Sequence, residues 1–127
     1  GGLMVPVVRH AEARDLWSTA AEVVRLAEAA RTGKALRDEL SGSTITITSL
    51  GPRGGIVTTP IINAPEVAVL GVSRSRMQPL WDGSGFKPRL MLPLSLSYDH
   101  RVIDGAAAAR FTRFLASRLE DLRRLTL

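Results

Sequence analysis

The sequence has no cysteine among its 127 residues. That excludes a thiolate nucleophile, a disulfide framework, a Cys-ligated zinc and an iron–sulfur cluster. Its only histidines are His10 and His100, which leaves no His-rich metal site, and no metal is expected. Aromatic residues make up 5%, and no basic run is interleaved with them, so the pattern of a nucleic-acid interface is missing. No stretch of about 18 apolar residues exists, so no transmembrane helix is expected. The opening GGLMVPVVRH lacks the charged and long apolar regions of a signal peptide. With the missing cysteines, this makes the cytoplasm the expected compartment. Lysine is scarce as well: of 17 Lys+Arg, only Lys34 and Lys87 are lysine.

What is present is ordinary globular material. A chain of 127 residues fits one domain and can bury a core. A hydrophobic fraction of 45% and a charged fraction of 23% exclude wholesale disorder. The net charge of +5 comes from arginines spread along the chain, which reads as a solvated basic surface, with neither a nucleic-acid nor a membrane partner.

The apolar run Leu3–Val8 suggests a strand, with Pro6 placing it at an edge or a bulge. After Asp15, the residues Leu16, Ala20, Val23, Val24, Ala27 and Ala30 form one stripe at a 3.6-residue period, and Gly33 suits the position past the helix C-terminus. Thr44–Ser49 is β-branched and alternating, a strand. Gly51, Pro52, Gly54 and Gly55 break it, and Ile56–Thr59 is expected to resume as a strand. Glu66–Val72 reads as a buried strand. Asp82-Gly83 marks a hairpin turn. Arg89–Tyr98 is the longest strand expected, with Leu90, Leu92, Leu94 and Leu96 on one face. A second helix starts at Asp104 or Gly105, with Ala107, Phe111, Phe114, Leu115, Arg118 and Leu122 as its stripe. Strand, helix, several strands, helix is the order of an α/β two-layer sandwich with a mixed sheet.

His100 is the residue with the most chemistry open to it. It lies in SYDHRVIDG, between the longest strand and the last helix, where a side chain is held rigidly and still faces a cleft. Histidine takes and returns a proton near neutral pH. Asp99 and Asp104 flank it, and a carboxylate there either fixes its tautomer or pairs with Arg101. The competing reading is a half-buried histidine satisfied by its own backbone. His10 has no second ligand or periodic partner nearby and reads as a surface residue. Thr48, at a strand end beside a Gly-rich turn, can donate to an oxyanion, although β-propensity alone also accounts for it. Gly51, Gly54 and Gly55 form neither a dinucleotide fingerprint nor a P-loop.

The segment DHRVIDG resembles the active-site motif of the dihydrolipoamide acyltransferase components of 2-oxo-acid dehydrogenase complexes. Chloramphenicol acetyltransferase shares its shorter form, seen here as His100, Asp104 and Gly105. The blocks TITSLGPRGGIVTTPIINAPEVAVLGV, WDGSGFKPRLMLPLSLSYDHRVIDGAAAARF and GLMVPVVRHAEARDLWSTAAEVVRLAEAAR are similar to that family too. The resemblance spans essentially the whole chain. It implies a chloramphenicol-acetyltransferase-like, coenzyme A-dependent acyltransferase fold. Residues 1–127 would form the C-terminal half of one catalytic domain, without the lipoyl and peripheral-subunit-binding domains.

The resemblance also assigns roles. His100 matches the general base, and Thr48, 52 residues before it, the hydroxyl that hydrogen-bonds the oxyanion. Asp104 matches a position held by Asp or Asn that fixes the turn or orients His100. Leu50 and Gly51 fall in the substrate-binding stretch, and Asp99, Arg101 and Gly105 belong to the structural motif. Coenzyme A is implied as a substrate, with the lipoyl group carried on a separate domain. The implied partners are two further copies in a homotrimer that builds a larger core, and the decarboxylase and dihydrolipoamide dehydrogenase components of the complex. The apolar end Leu125–Leu127 resembles a tail that plugs a neighbouring trimer. The acyl group is expected to be branched-chain ahead of acetyl. The rival expectations are a non-catalytic core-forming scaffold or inactive fragment of the same enzyme, and an antibiotic-type acetyltransferase of the same fold.

Overall fold

Asp15 opens the first helix in the way its position suggests. In the computed structural model, which describes residues 2–126, its carboxylate accepts the Ser18 N–H at 2.6 Å, satisfying one of the donors a helix start leaves free. Helix α1 spans Leu16–Arg31. It ends in a Lys34 N–H to Ala29 C=O bond of 2.8 Å across a left-handed Gly33 (φ 68°), the closure expected of a C-terminal glycine. The chain forms two compact units: Gly1–Thr44 with Leu115–Leu127, and Ile45–Phe114.

In the first unit, the expected stripe of α1 is not the buried one. Leu16, Val23 and Val24 are 52%, 50% and 70% exposed, while Leu26 is 1% exposed. Thr19, Glu22, Leu26, Ala29 and Ala30 are the shielded positions. The reason is electrostatic: Arg25 bridges Glu22 (2.8 Å) and Glu39 (2.7 Å), and Glu39 also accepts the Leu36 N–H at 2.9 Å. This network fastens α1 to the turn Arg37–Leu40 by its Glu22–Leu26 side. Leu3–Val8 forms no strand. Pro6 has no N–H to give a ladder, and the run bonds that same turn instead, through Val7 N–H to Glu39 C=O at 2.8 Å and the Arg9 guanidinium to the Asp38 and Ser41 carbonyls. Of the expected tail, Leu127 lies outside the described residues; Leu125 ends the turn Leu122–Arg124.

The second unit holds a three-stranded sheet, β1 (Thr46–Ser49), β2 (Ala68–Val72) and β5 (Leu94–Tyr98), in the order β1-β2-β5. β1 runs parallel to β2 and β5 antiparallel to it, so the sheet is mixed, as expected. Ala68, Val69 and Leu70 of the central strand are buried. Paired residues share a face, so Ile47, Leu70 and Leu96 line one side and Thr48, Gly71 and Ser95 the other.

Two expected strands are corrected. Ile56–Thr59 carries none; instead the Thr58 hydroxyl lies over Gly71. Arg89–Tyr98 is broken at Leu92-Pro93 into β4 (Phe86–Met91) and β5. β4 pairs with β3 (Arg76–Trp81) in a separate ribbon, so Leu90, 68% exposed, does not share a face with Leu94 and Leu96. Pro79 faces Pro88 in that ribbon, which works because both strands are edges and neither proline owes a ladder donor. Helix α2 spans Gly105–Leu119 and buries Ala108. Its expected stripe is only partly shielded: Phe111 and Phe114 are 43% and 56% exposed, and Leu122 lies beyond the helix. None of the described helices is long and apolar enough to cross a membrane.

Candidate active site

β5 delivers the DHRVIDG turn. Asp99 continues the strand by donating its N–H to the Val67 carbonyl at 2.8 Å, and its own carbonyl then accepts Val102 and Ile103 N–H at 3.0 and 2.9 Å. These bonds close the turn around His100. The Asp99 carboxylate accepts Arg101 Nη2 at 2.7 Å, Nε at 3.0 Å and the Arg101 backbone N–H at 3.0 Å. The Arg101 guanidinium, foremost, and its backbone N–H hold the Asp99 carboxyl down at about 2. Of the two arrangements open to this carboxylate, the structure selects the pair with Arg101.

His100 is exposed, and its ring rests tilted against Tyr98, with centroids 5.5 Å apart and planes at 41°. Its imidazole makes no hydrogen bond among the described residues. Asp104 accepts the Ala107 N–H at 2.7 Å and so caps α2. It fixes the turn rather than touching the imidazole. Gly105 opens α2; a Cβ there would meet Tyr98 Oη only at 3.7 Å, so space does not demand glycine.

Thr48 lies on β1, half-buried. Its neighbour Thr46 is committed, donating to the buried carboxylate of Glu66 at 2.7 Å. The Thr48 hydroxyl has no such partner among the described residues and remains able to donate. Ser49 turns the chain by accepting the Gly51 N–H at 3.1 Å. Gly51 has φ 55°, the left-handed conformation that favours glycine, and Leu50 is 65% exposed. Both therefore sit at an open loop beside Thr48.

Within one chain, Thr48 and His100 do not meet. Thr48 pairs with Gly71 on one edge strand, while His100 follows the other edge strand beyond the Ala68–Tyr98 row. That is ~10 Å across two strand spacings and ~10 Å or more along the strands.

His10 is a surface residue as expected, its side chain 82% exposed with Glu12 at 4.0 Å. No group of three or more metal-ligating side chains occurs among the described residues. An open concavity of about 260 Å³ on the β3–β4 ribbon, lined by Met77, Gln78, Pro79, Phe86, Lys87 and Pro88, contains none of these residues. Sequence reasoning missed Thr58 and Ser95, whose buried hydroxyl oxygens share the Thr48 face of the sheet and have no hydrogen-bond partner among the described residues. The signal was there in LSLSY, where serines alternate with leucines, and in the single glycine of AVLGV.

Comparison with known proteins gives a consistent picture. The family model for the catalytic domain of the 2-oxoacid dehydrogenases acyltransferase matches residues 1–127. The dihydrolipoyllysine-residue acetyltransferase component of the pyruvate dehydrogenase complex of Azotobacter vinelandii is 59% identical over 126 residues, covering 99% of this chain and 20% of that protein. The lipoamide acyltransferase component of the branched-chain alpha-keto acid dehydrogenase complex of Pseudomonas aeruginosa is 60% identical over 119 residues, 94% of this chain and 28% of that protein. Two solved structures superpose with a TM-score of 0.94 at 59% identity, each covering 99% of this chain and 52% of the solved one. One is the A. vinelandii dihydrolipoamide acetyltransferase, studied for the role of a serine, a histidine and an asparagine in its catalytic mechanism. The other is the cubic core of the pyruvate dehydrogenase multienzyme complex. The chain thus spans 20% and 28% of these two relatives and about half of the solved cores.

Proposed function

The chain belongs to the 2-oxoacid dehydrogenase acyltransferase family, in its catalytic domain and with the coenzyme A-dependent acyltransferase fold, and from that membership we propose that it carries the catalytic residues of an enzyme moving an acyl group between coenzyme A and dihydrolipoamide. The observation that carries this reading is a spacing. The serine, histidine and asparagine investigated in the A. vinelandii enzyme stand 52 and 4 residues apart, as do Thr48, His100 and Asp104 here.

The chemistry follows from the groups. His100 takes the proton of the incoming thiol, whose pKa near ~8.5 lies within reach of an imidazole. The thiolate sulfur bonds to the thioester carbon, and the carbonyl electron pair moves onto oxygen. Thr48 donates to that oxyanion, which is stronger hydrogen bonding than the ground-state carbonyl receives. Collapse expels the second sulfur, which takes the proton back from His100. Asp104 keeps the turn in register through its cap, and Asp99 with Arg101 locks the backbone on the other side.

Since Thr48 and His100 stand apart within one chain, the reading requires His100 of one copy to face Thr48 of another, in a homotrimer that builds a larger core. A relative assembled as a cubic core supports this. The decarboxylase and dihydrolipoamide dehydrogenase components are the proposed further partners. The acyl group proposed is branched-chain ahead of acetyl, on the character of the Gly54–Ala68 segment.

The test is acyl transfer to dihydrolipoamide from isobutyryl-, acetyl- and succinyl-coenzyme A by the full-length protein. His100→Ala is expected to lose on the order of 10²–10⁴ in rate. Thr48→Ala is expected to lose about 10²–10³, with Thr48→Ser retaining activity. A wild-type protein that assembles but transfers none of the three supports a core-forming scaffold instead.

A further inference from the structure

We infer that Thr58 is a positioning residue that acts through Thr48, with Ser95 behind it, in a row of hydroxyls across the sheet. This rests on the reading of Thr48 as the oxyanion donor. The row is set by register: Thr48 pairs with Gly71, and Gly71 with Ser95, so the three positions share one face. Gly71 is the only one of the three without a side chain. A Cβ at residue 71 would collide with the Thr58 hydroxyl, and the Thr58 Cβ and Pro60 Cδ stand 3.5 and 3.6 Å from where it would lie. Glycine at 71 therefore makes room for a hydroxyl brought in from another segment, between two hydroxyl-bearing strands.

Strand spacing places the Cβ atoms of Thr48 and Ser95 ~5 Å to either side of that point. A χ1 rotation then brings the oxygens within hydrogen-bond reach of one another. The Oγ atoms of Thr58 and Ser95 are buried and have no hydrogen-bond partner among the described residues. Native proteins rarely leave such groups unsatisfied, and valine would fill either position without that cost. Each hydroxyl can accept one hydrogen bond and donate another. With Ser95 donating to Thr58, and Thr58 donating to Thr48 Oγ1, the Thr48 proton is left for the substrate oxyanion. Bonds in such a chain polarise one another, so the row both aims Thr48 and strengthens it as a donor. Catalytic hydrogen bonds of this kind tighten when substrate is bound.

The experiment uses the full-length, assembled protein, with sedimentation to show that each variant assembles. Thr58→Val removes the hydroxyl at near-constant shape. It is expected to lower kcat about tenfold, with KM for coenzyme A and for dihydrolipoamide within about twofold of wild type. Thr58→Ser is expected to restore kcat to within about threefold. In a Thr48→Ala background, Thr58→Val is expected to change nothing further, because it acts through the missing group. The inference is overturned if Thr58→Val leaves kcat within about twofold of wild type, if serine fails to rescue it, or if the loss is as large without Thr48. An active wild type with a silent Thr58 sinks this inference alone. An inactive wild type sinks the acyltransfer reading and this one with it.

Discussion

Asp99 and Arg101 show how much of a site is spent on holding rather than reacting. The fork between them occupies the carboxylate on both oxygens, so Asp99 does not orient His100, and the imidazole rests tilted against Tyr98. The arrangement has a pH signature. The Asp99 carboxyl is lowered from 3.8 to about 2, so its stabilisation of the turn is fully present above 3.8 and is lost as pH falls through about 2. Arg101→Met removes the foremost cause of that shift. The Asp99 carboxyl carbon, followed by NMR titration, is expected to move back toward 3.8 in the variant. An unmoved midpoint would show that the backbone N–H, not the guanidinium, holds it down.

At the scale of elements, α1 separates what pattern reveals from what partners decide. Leu26 is the residue its unit buries most completely, and Leu26→Ala is expected to cost about 2–5 kcal/mol, measured by thermal or urea denaturation. Val24→Ala, at a position 70% exposed, serves as the control and is expected to change stability by less than about 0.5 kcal/mol. Equal losses would mean that the Val24 face, not the Leu26 face, carries the helix. Asp15, the helix period and Gly33 made α1 legible, as the Asp82-Gly83 turn made the ribbon and alternation made β1. Which face of α1 is shielded was not legible, because Arg25 reaches 14 residues along the chain to Glu39, a long-range choice that periodicity does not encode. The strands expected at Leu3–Val8 and Ile56–Thr59 fail for a related reason: apolar and β-branched content marks extended chain, while ladder partners make a strand. In the candidate site, the DHRVIDG turn was legible because its residues are contiguous. Thr58 was not, because it reaches the Thr48 face through a glycine on a different strand.

At the scale of the whole molecule, the separation of Thr48 from His100 decides how many chains a site needs. The two lie on opposite edge strands with β2 between them, and no side chain spans ~10 Å across and ~10 Å along a sheet. A base and an oxyanion donor must both stand within ~3 Å of the reacting group. On the proposed reading, each site draws its histidine from one copy and its threonine from a neighbour, which a cyclic assembly of identical interfaces provides. Complementation tests this directly. His100→Ala and Thr48→Ala proteins, each nearly silent alone, are mixed, unfolded and reassembled. A site regains both groups when a Thr48→Ala chain supplies the histidine and a His100→Ala chain supplies the threonine. Random equal mixing in a closed ring makes that about one site in four, so about a quarter of wild-type activity is expected. The His100→Ala/Thr48→Ala double variant, unfolded and reassembled in the same way, controls for background. If mixed assemblies form, shown by mass spectrometry, and activity stays at the level of the single variants, then both groups act from the same chain and the sheet must rearrange in the working enzyme to bring them together.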